Sequence, residues 1–203
     1  SGVKSSQGGN KLLAPCLVDP HSILEDPIHG NSENLSSLIK KAAIAGYGQL
    51  SLLPKGTSWR DKPELLQRFT HLDHKVSIHL WGSFTNEGKG KELAPHADLL
   101  QHGAIGLADD DHALPIELLR QGFELGEMGN SPVLLAPRDK GVQGVGLVRE
   151  GVETLRAGWH PDPIESETLP LSQLLELQNK YPEVSMRLMN ISTAAGVSII
   201  ENS

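Results

Sequence analysis

Two places in this chain carry side chains able to hold a divalent metal: Asp19-Pro20-His21, and the run Asp109, Asp110 and Asp111. Imidazole nitrogens and carboxylate oxygens are the ligands of hydrolytic zinc sites. A metal bound by them would bring the pKa of a coordinated water towards 7 and supply a nucleophile for amide-like bonds. The pattern falls short of that chemistry. Ser22 and Ile23 follow His21, and isoleucine has no lone pair to give a metal. A catalytic zinc normally takes three protein ligands and a water, and only one of these residues, His21, carries an imidazole. Each group also has a plain structural reading. His21 suits a hydrogen-bonded strand-end histidine, and the three aspartates suit an N-cap cluster ahead of Pro115.

The elements that must position these groups alternate between short apolar runs and helix-like stretches, the pattern of strands joined by crossover helices into a parallel sheet. Strands are expected over residues 12–18, 49–53, 76–81, 104–108, 132–136 and 184–189. Helices are expected over 32–45, 62–72, 93–101, 114–128, 166–180 and 193–200. Residues 141–158 read as a Gly-rich loop whose spacing is not that of a dinucleotide-binding turn. Trp159, between that loop and Pro161, reads as a packing anchor. The unusual polar residues fall at the carboxyl ends of the strands, where parallel α/β folds place their ligands: His21, Lys55, the three aspartates, Arg138 and Asn190. Lys55, Arg138 and Arg187 could form an anion pocket there or be ordinary surface cations. His71 and His74, flanking Asp73, read as a helix end that favours cations rather than as a metal site.

Composition narrows the function classes. The formal net charge of −7 opposes a nucleic-acid groove, which needs clustered Lys and Arg to displace counterions. Cys16 is the single cysteine, so no intrachain disulfide forms and thiolate zinc sites are excluded. No stretch is apolar over the roughly 20 residues of a membrane span. These features lead us to expect a soluble, cytoplasmic protein that binds neither nucleic acid nor membrane. Residues 1–10 are polar and Gly-rich, expected as a flexible arm or a cloning scar, and residues 11–203 as one domain.

Five motifs in chain order resemble the dihydroorotases of the amidohydrolase superfamily: Leu13-Ala-Pro-Cys-Leu-Val-Asp-Pro-His21, Leu53-Pro-Lys-Gly56, Gly82-Ser-Phe-Thr-Asn-Glu-Gly-Lys-Gly-Lys-Glu-Leu93, Gly103-Ala-Ile-Gly-Leu-Ala-Asp-Asp-Asp111 and Ile191-Ser-Thr-Ala194. The resemblance implies an α/β fold, a TIM-type (β/α) barrel of the metal-dependent hydrolase kind. Here it would be cut to about six units, since such barrels run to about 250 residues. It also implies one or two zinc ions and the interconversion of carbamoyl aspartate and dihydroorotate in pyrimidine biosynthesis.

Residue by residue, the resemblance implies loss of that chemistry. Ile23 stands where the family has its second histidine, and Glu25 where it has the arginine that holds the substrate carboxylate. Ala136-Pro-Arg138-Asp stands at the histidine after strand five, Asn190 at the histidine after strand six, and Lys55 at the substrate-binding asparagine. His21 and one of the three aspartates, with Asp109 and Asp110 the candidates, survive as vestigial metal or catalytic positions. Lys55, Arg138 and Asn190 become candidate anion-binding residues. No cofactor is then expected, and the chain reads as a non-catalytic dihydroorotase-like binding or assembly partner, a role with precedent among inactive family members. The alternative is a divergent cyclic amidohydrolase in which His29, His79 or His102 rebuilds a zinc site with His21 and Asp109. An open six-strand barrel would expose sheet edges, so a second copy, a protein partner or further residues are expected to cover them.

Overall fold

The computed structural model describes residues 9, 14–24, 34–56, 59–67 and 75–203. Residues 1–8 and 10 of the expected arm, the first residues of the expected first strand, Glu25, His29, His71, Asp73 and His74 lie outside the described residues. In chain order the elements are β1 (Leu17–Ser22), α1 (Leu35–Ile44), β2 (Tyr47–Leu52), α2 (Pro63–Gln67), β3 (Ser77–Ser83), α3 (His96–Gln101), β4 (Ala104–Ala108), α4 (Ile116–Leu125), β5 (Val133–Leu135), α5 (Lys140–Gln143), β6 (Val148–Arg149), α6 (Val152–Arg156), β7 (Pro161–Asp162), α7 (Glu165–Lys180), β8 (Met186–Leu188) and α8 (Ala194–Glu201).

Six strands form one sheet in the order β1-β2-β3-β4-β5-β8, and every neighbouring pair is parallel. This is the expected succession of β/α units, a six-stranded part of a TIM-type barrel. Alternation along the strands sorts the core into two layers. Leu52, Leu80, Leu107, Val133 and Leu135 pack outward against helix residues that include Leu66, Leu99, Leu119, Phe123, Leu174 and Leu177. Leu53, Trp81, Ala108, Leu134, Ala136 and Met189 cluster on the opposite, helix-free face. Trp81 spans that face, its indole Nε1 donating to the Pro20 carbonyl at 2.9 Å. Gly106 lets it do so, because a Cβ there would lie 2.6 Å from the indole and 2.3 Å from the Pro132 carbonyl oxygen.

Local chemistry sets the helix ends. The Asn34 side chain accepts from Ser37 N–H at 2.9 Å and starts α1. Gly126, at φ 65°, stops α4 three residues before the expected end. The helix expected over 93–101 begins only at His96, because Leu93 bridges to Thr85 and the Ala94 N–H donates to the Phe84 carbonyl instead. The largest departure from expectation is the stretch read as loop. Residues 141–158 hold most of α5, all of β6 and α6, and β6 pairs in parallel with β7. Two-residue strands and single-turn helices are too short to show a period in sequence. Among the described residues, no helix is long and apolar enough to cross a membrane.

Candidate functional site: the carboxyl ends of the strands

The chain leaves β4 through three consecutive aspartates that do different work. Asp109 turns inward and is buried, 2% exposed. One of its oxygens accepts from the Ser83 hydroxyl and the Phe84 N–H, both at 2.9 Å, and from the Thr85 N–H at 3.1 Å; the other accepts from the Thr85 hydroxyl. It therefore ties the end of β4 to the end of β3. Burial pushes its carboxyl up to about 6, against the pull of these donors from Thr85, Ser83 and Phe84.

Asp110 and Asp111 face the strand-end mouth, and cations of the chain itself meet them there. The Lys55 ammonium donates to both Asp110 oxygens at 3.1 and 3.0 Å. Lys140, from the start of α5, lies 3.9 Å from Asp110, 3.4 Å from Asp111 and 3.2 Å from His112 Nδ1. Arg138 Nη1 lies 3.6 Å from Asp111, while its Nε donates to the Gln143 side-chain oxygen at 3.0 Å. Desolvation would raise Asp110, but the Asp111 N–H and the two ammonium groups outweigh it and hold its carboxyl below the ordinary range. Burial, followed by the Lys140 charge, lowers His112 and favours neutral imidazole.

Asp110, Asp111 and His112 form the one group among the described residues whose ligand atoms, all within 4.8 Å of one another, could hold a metal ion. They do not fit a zinc ion well. A cation entering between the carboxylates meets two ammonium groups and a guanidinium already seated on them. Each pair of like unit charges 4 Å apart repels by about 4 kcal/mol at an effective dielectric of 20.

The other candidates are placed apart from this cluster. His21, half-buried at the end of β1, has its N–H on Asp19 at 3.1 Å, and Ser22 Oγ donates to the same carboxylate at 2.5 Å. His79 pairs with Ser51 on the helix-free face, two residues below Trp81 and thus deeper than the mouth. His102 caps the far end of α3, its Nδ1 on the Asp98 carbonyl at 2.7 Å. Among the described residues, neither His79 nor His102 joins His21 and Asp109 in a ligand group. Arg187 lies within β8 opposite Leu134, about 10 Å of strand rise below Asn190. It does not join Lys55 and Arg138 in one pocket. Trp159 is 56% exposed, so it is no buried anchor.

Sequence reasoning missed a second polar centre. Arg149 in β6 donates through Nη1 to the Ser166 hydroxyl at 2.6 Å and the Pro163 carbonyl at 3.1 Å, with Asp162 Oδ2 also at 3.1 Å. Its Nη2 reaches Glu167 at 2.9 Å. Glu167 is fully buried and also accepts from Ser192 N–H and Oγ at 2.8 and 2.7 Å and from Thr193 N–H and Oγ1 at 3.1 and 2.5 Å. Desolvation would raise this carboxyl, yet the donors from Thr193 and Ser192 hold it below the usual range. The network fixes the turn that carries Asn190, whose backbone is left-handed at φ 61°. The available signal was an arginine within a Gly-rich stretch that also carries Arg156. Beside the network lies a cavity of about 340 Å³ lined by Ala136, Pro137, Arg138, Leu147, Asn190 and Ile191 together with Arg149, Asp162 and Ser192 of the network.

No protein-family model matches the chain. It is 33% identical over 217 residues to a probable dihydroorotase-like protein of Synechocystis sp., a match covering 95% of this chain and 49% of that protein. It is 24% identical over 206 residues to the dihydroorotase of Geobacter metallireducens, covering 100% of this chain and 48% of that one. Among solved structures, the L-hydantoinase (dihydropyrimidinase) of Arthrobacter aurescens superposes with a TM-score of 0.71 at 16% identity, over 93% of this chain and 44% of that one. The dihydroorotase of Saccharomyces cerevisiae, solved with 5-fluoroorotic acid, gives 0.58 at 14% identity, over 93% and 51%. At such identities the structural likeness is one of fold. The chain spans about half the length of the curated relatives it matches, 49% and 48%.

Proposed function

We propose that this chain, which belongs to the dihydroorotase-like family, is a member without zinc-dependent catalysis that acts by binding, as an assembly or ligand-binding partner. One observation carries the reading: the Lys55 ammonium sits on both oxygens of Asp110, with Lys140 and Arg138 around Asp111, so the mouth carboxylates are neutralised from within. Asp109, the other vestigial ligand candidate, is spent on the end of β3. The substitutions Ile23, Asn190 and Arg138 support the same conclusion, since none supplies an imidazole. Without a metal-activated water, a cyclic amide meets no nucleophile at this mouth.

Assembly is the second half of the reading. In the described structure β1 and β8 are the outer strands of the sheet, and Leu17 and Val18 of β1 are 53% and 54% exposed. An exposed apolar edge strand is a template for pairing, so a covering element is required. The catalytic half is tested by ring opening of dihydroorotate and of hydantoin with zinc added. The reading expects no rate above protein-free solution, and turnover that scales with protein would overturn it.

A further inference from the structure

We propose that the cavity between the ends of β5 and β8 binds a small aliphatic monocarboxylate. This rests on the metal-free reading of the mouth, because it treats Arg138 as available to an anion.

The charges around the cavity decide the ligand class. Asp110 is engaged by Lys55, and Asp111 is shared between Lys140 at 3.4 Å and Arg138 at 3.6 Å. Asp162 and Arg149, which also line the cavity, are paired at 3.1 Å. Glu167 stands behind Arg149 and does not line the cavity. Arg138 is left as the cation with spare donors. Its Nε bond to Gln143 fixes the plane of the guanidinium, and Nη2 has no bond among the described residues. A planar fork held that way suits a carboxylate better than an ammonium would.

Further donors stand across the cavity. The main-chain N–H groups of Asn190 and Ile191 find no acceptor among the described residues, and neither does the Asn190 amide. Leu147, Ile191, Pro137 and Ala136 make the remaining wall apolar. A volume of about 340 Å³ is at the small end of ligand sites and leaves room for a short aliphatic body. Lys55, Lys140 and Arg138 stand against the two carboxylates of Asp110 and Asp111, and the one net positive charge left matches one negative charge rather than a phosphate dianion.

The test is a titration of the intact protein with isobutyrate, followed by the amide resonances of Asn190 and Ile191, with chloride at equal ionic strength as control. We expect saturable shifts that chloride does not reproduce. Binding should weaken by about tenfold or more in Arg138→Gln, the loss expected of one charge-assisted pair. It should weaken similarly in Leu147→Asp, whose position is 76% exposed and so tolerates the change. It should not change in Arg120→Gln, a cation on α4 paired with Glu124. Unsaturable shifts, equal shifts with chloride, or wild-type binding by Arg138→Gln would overturn the proposal. Metal analysis of the same sample separates the two readings. Failure in metal-free protein sinks the carboxylate site alone, and failure in metal-loaded protein sinks the metal-free mouth with it.

Discussion

The Lys55 ammonium lies 3.0 and 3.1 Å from the two carboxylate oxygens of Asp110, joining the end of β2 to the end of β4 across the strand-end mouth. A lysine so placed occupies the lone pairs a metal would need, and it is partly exposed, so its effect on stability is small.

Removing the cations should therefore reveal whatever metal affinity the carboxylates retain. Replacing Lys55 and Lys140 together by glutamine should tighten zinc binding by about tenfold or more relative to the wild type, with little change in stability. Calorimetric titration of both proteins with zinc measures it. Equal affinities would show that the ammonium groups do not guard the site.

Asp109 predicts a pH dependence. Its folded pKa, pushed up to about 6 by burial, lies above the ordinary value near 3.9, so the folded state binds the proton more tightly than the unfolded chain. Its contribution favours folding below about pH 4 and is lost as pH rises through about 6, by roughly 3 kcal/mol in all. Urea midpoints between pH 4 and 7 should show this slope in the wild type and not in Asp109→Asn.

Glu167 gives the opposite sign. Its carboxyl is held low in the folded state, so its contribution is present at neutral pH and lost as pH falls through the folded value. Glu167→Ala takes one of Arg149's two carboxylate partners, Asp162 being kept, and strands the N–H groups of Ser192 and Thr193, and should cost about 1–3 kcal/mol in urea unfolding.

Gly196 tests the same packing without touching a charge. A Cβ there would lie 2.3 Å from Glu167 Oε1, so Gly196→Ala should destabilise by about 1–3 kcal/mol, against the gain alanine normally brings to a helix. A neutral or stabilising result would mean that the Glu167 socket is looser than described.

The fold was legible because its units are periodic. Leu35, Leu38, Ile39 and Ala42 recur at helical spacing and form the packed side of α1, and the apolar run at Val133, Leu134 and Leu135 is a strand covered on both faces. The mouth was half legible. Lys55 and Asp110 could each be singled out by position at a strand end, but residues 55 positions apart show no pairing in one sequence. Lys140 and His112 carried no signal beyond their charge. The Arg149 and Glu167 centre was hidden because its members lie on two-residue strands, a helix start and a turn, none of which has a period to read.

The account stands or falls on the metal content of the folded, intact protein after mild dialysis, measured for zinc, manganese and iron by elemental analysis. It predicts well under about one ion per chain in protein that remains cooperatively folded, since a catalytic zinc needs about three protein ligands and this mouth offers them only against its own cations. About one or more ions per chain, retained by the wild type and lost on Asp110→Asn, would contradict it and restore hydrolysis as the function to pursue.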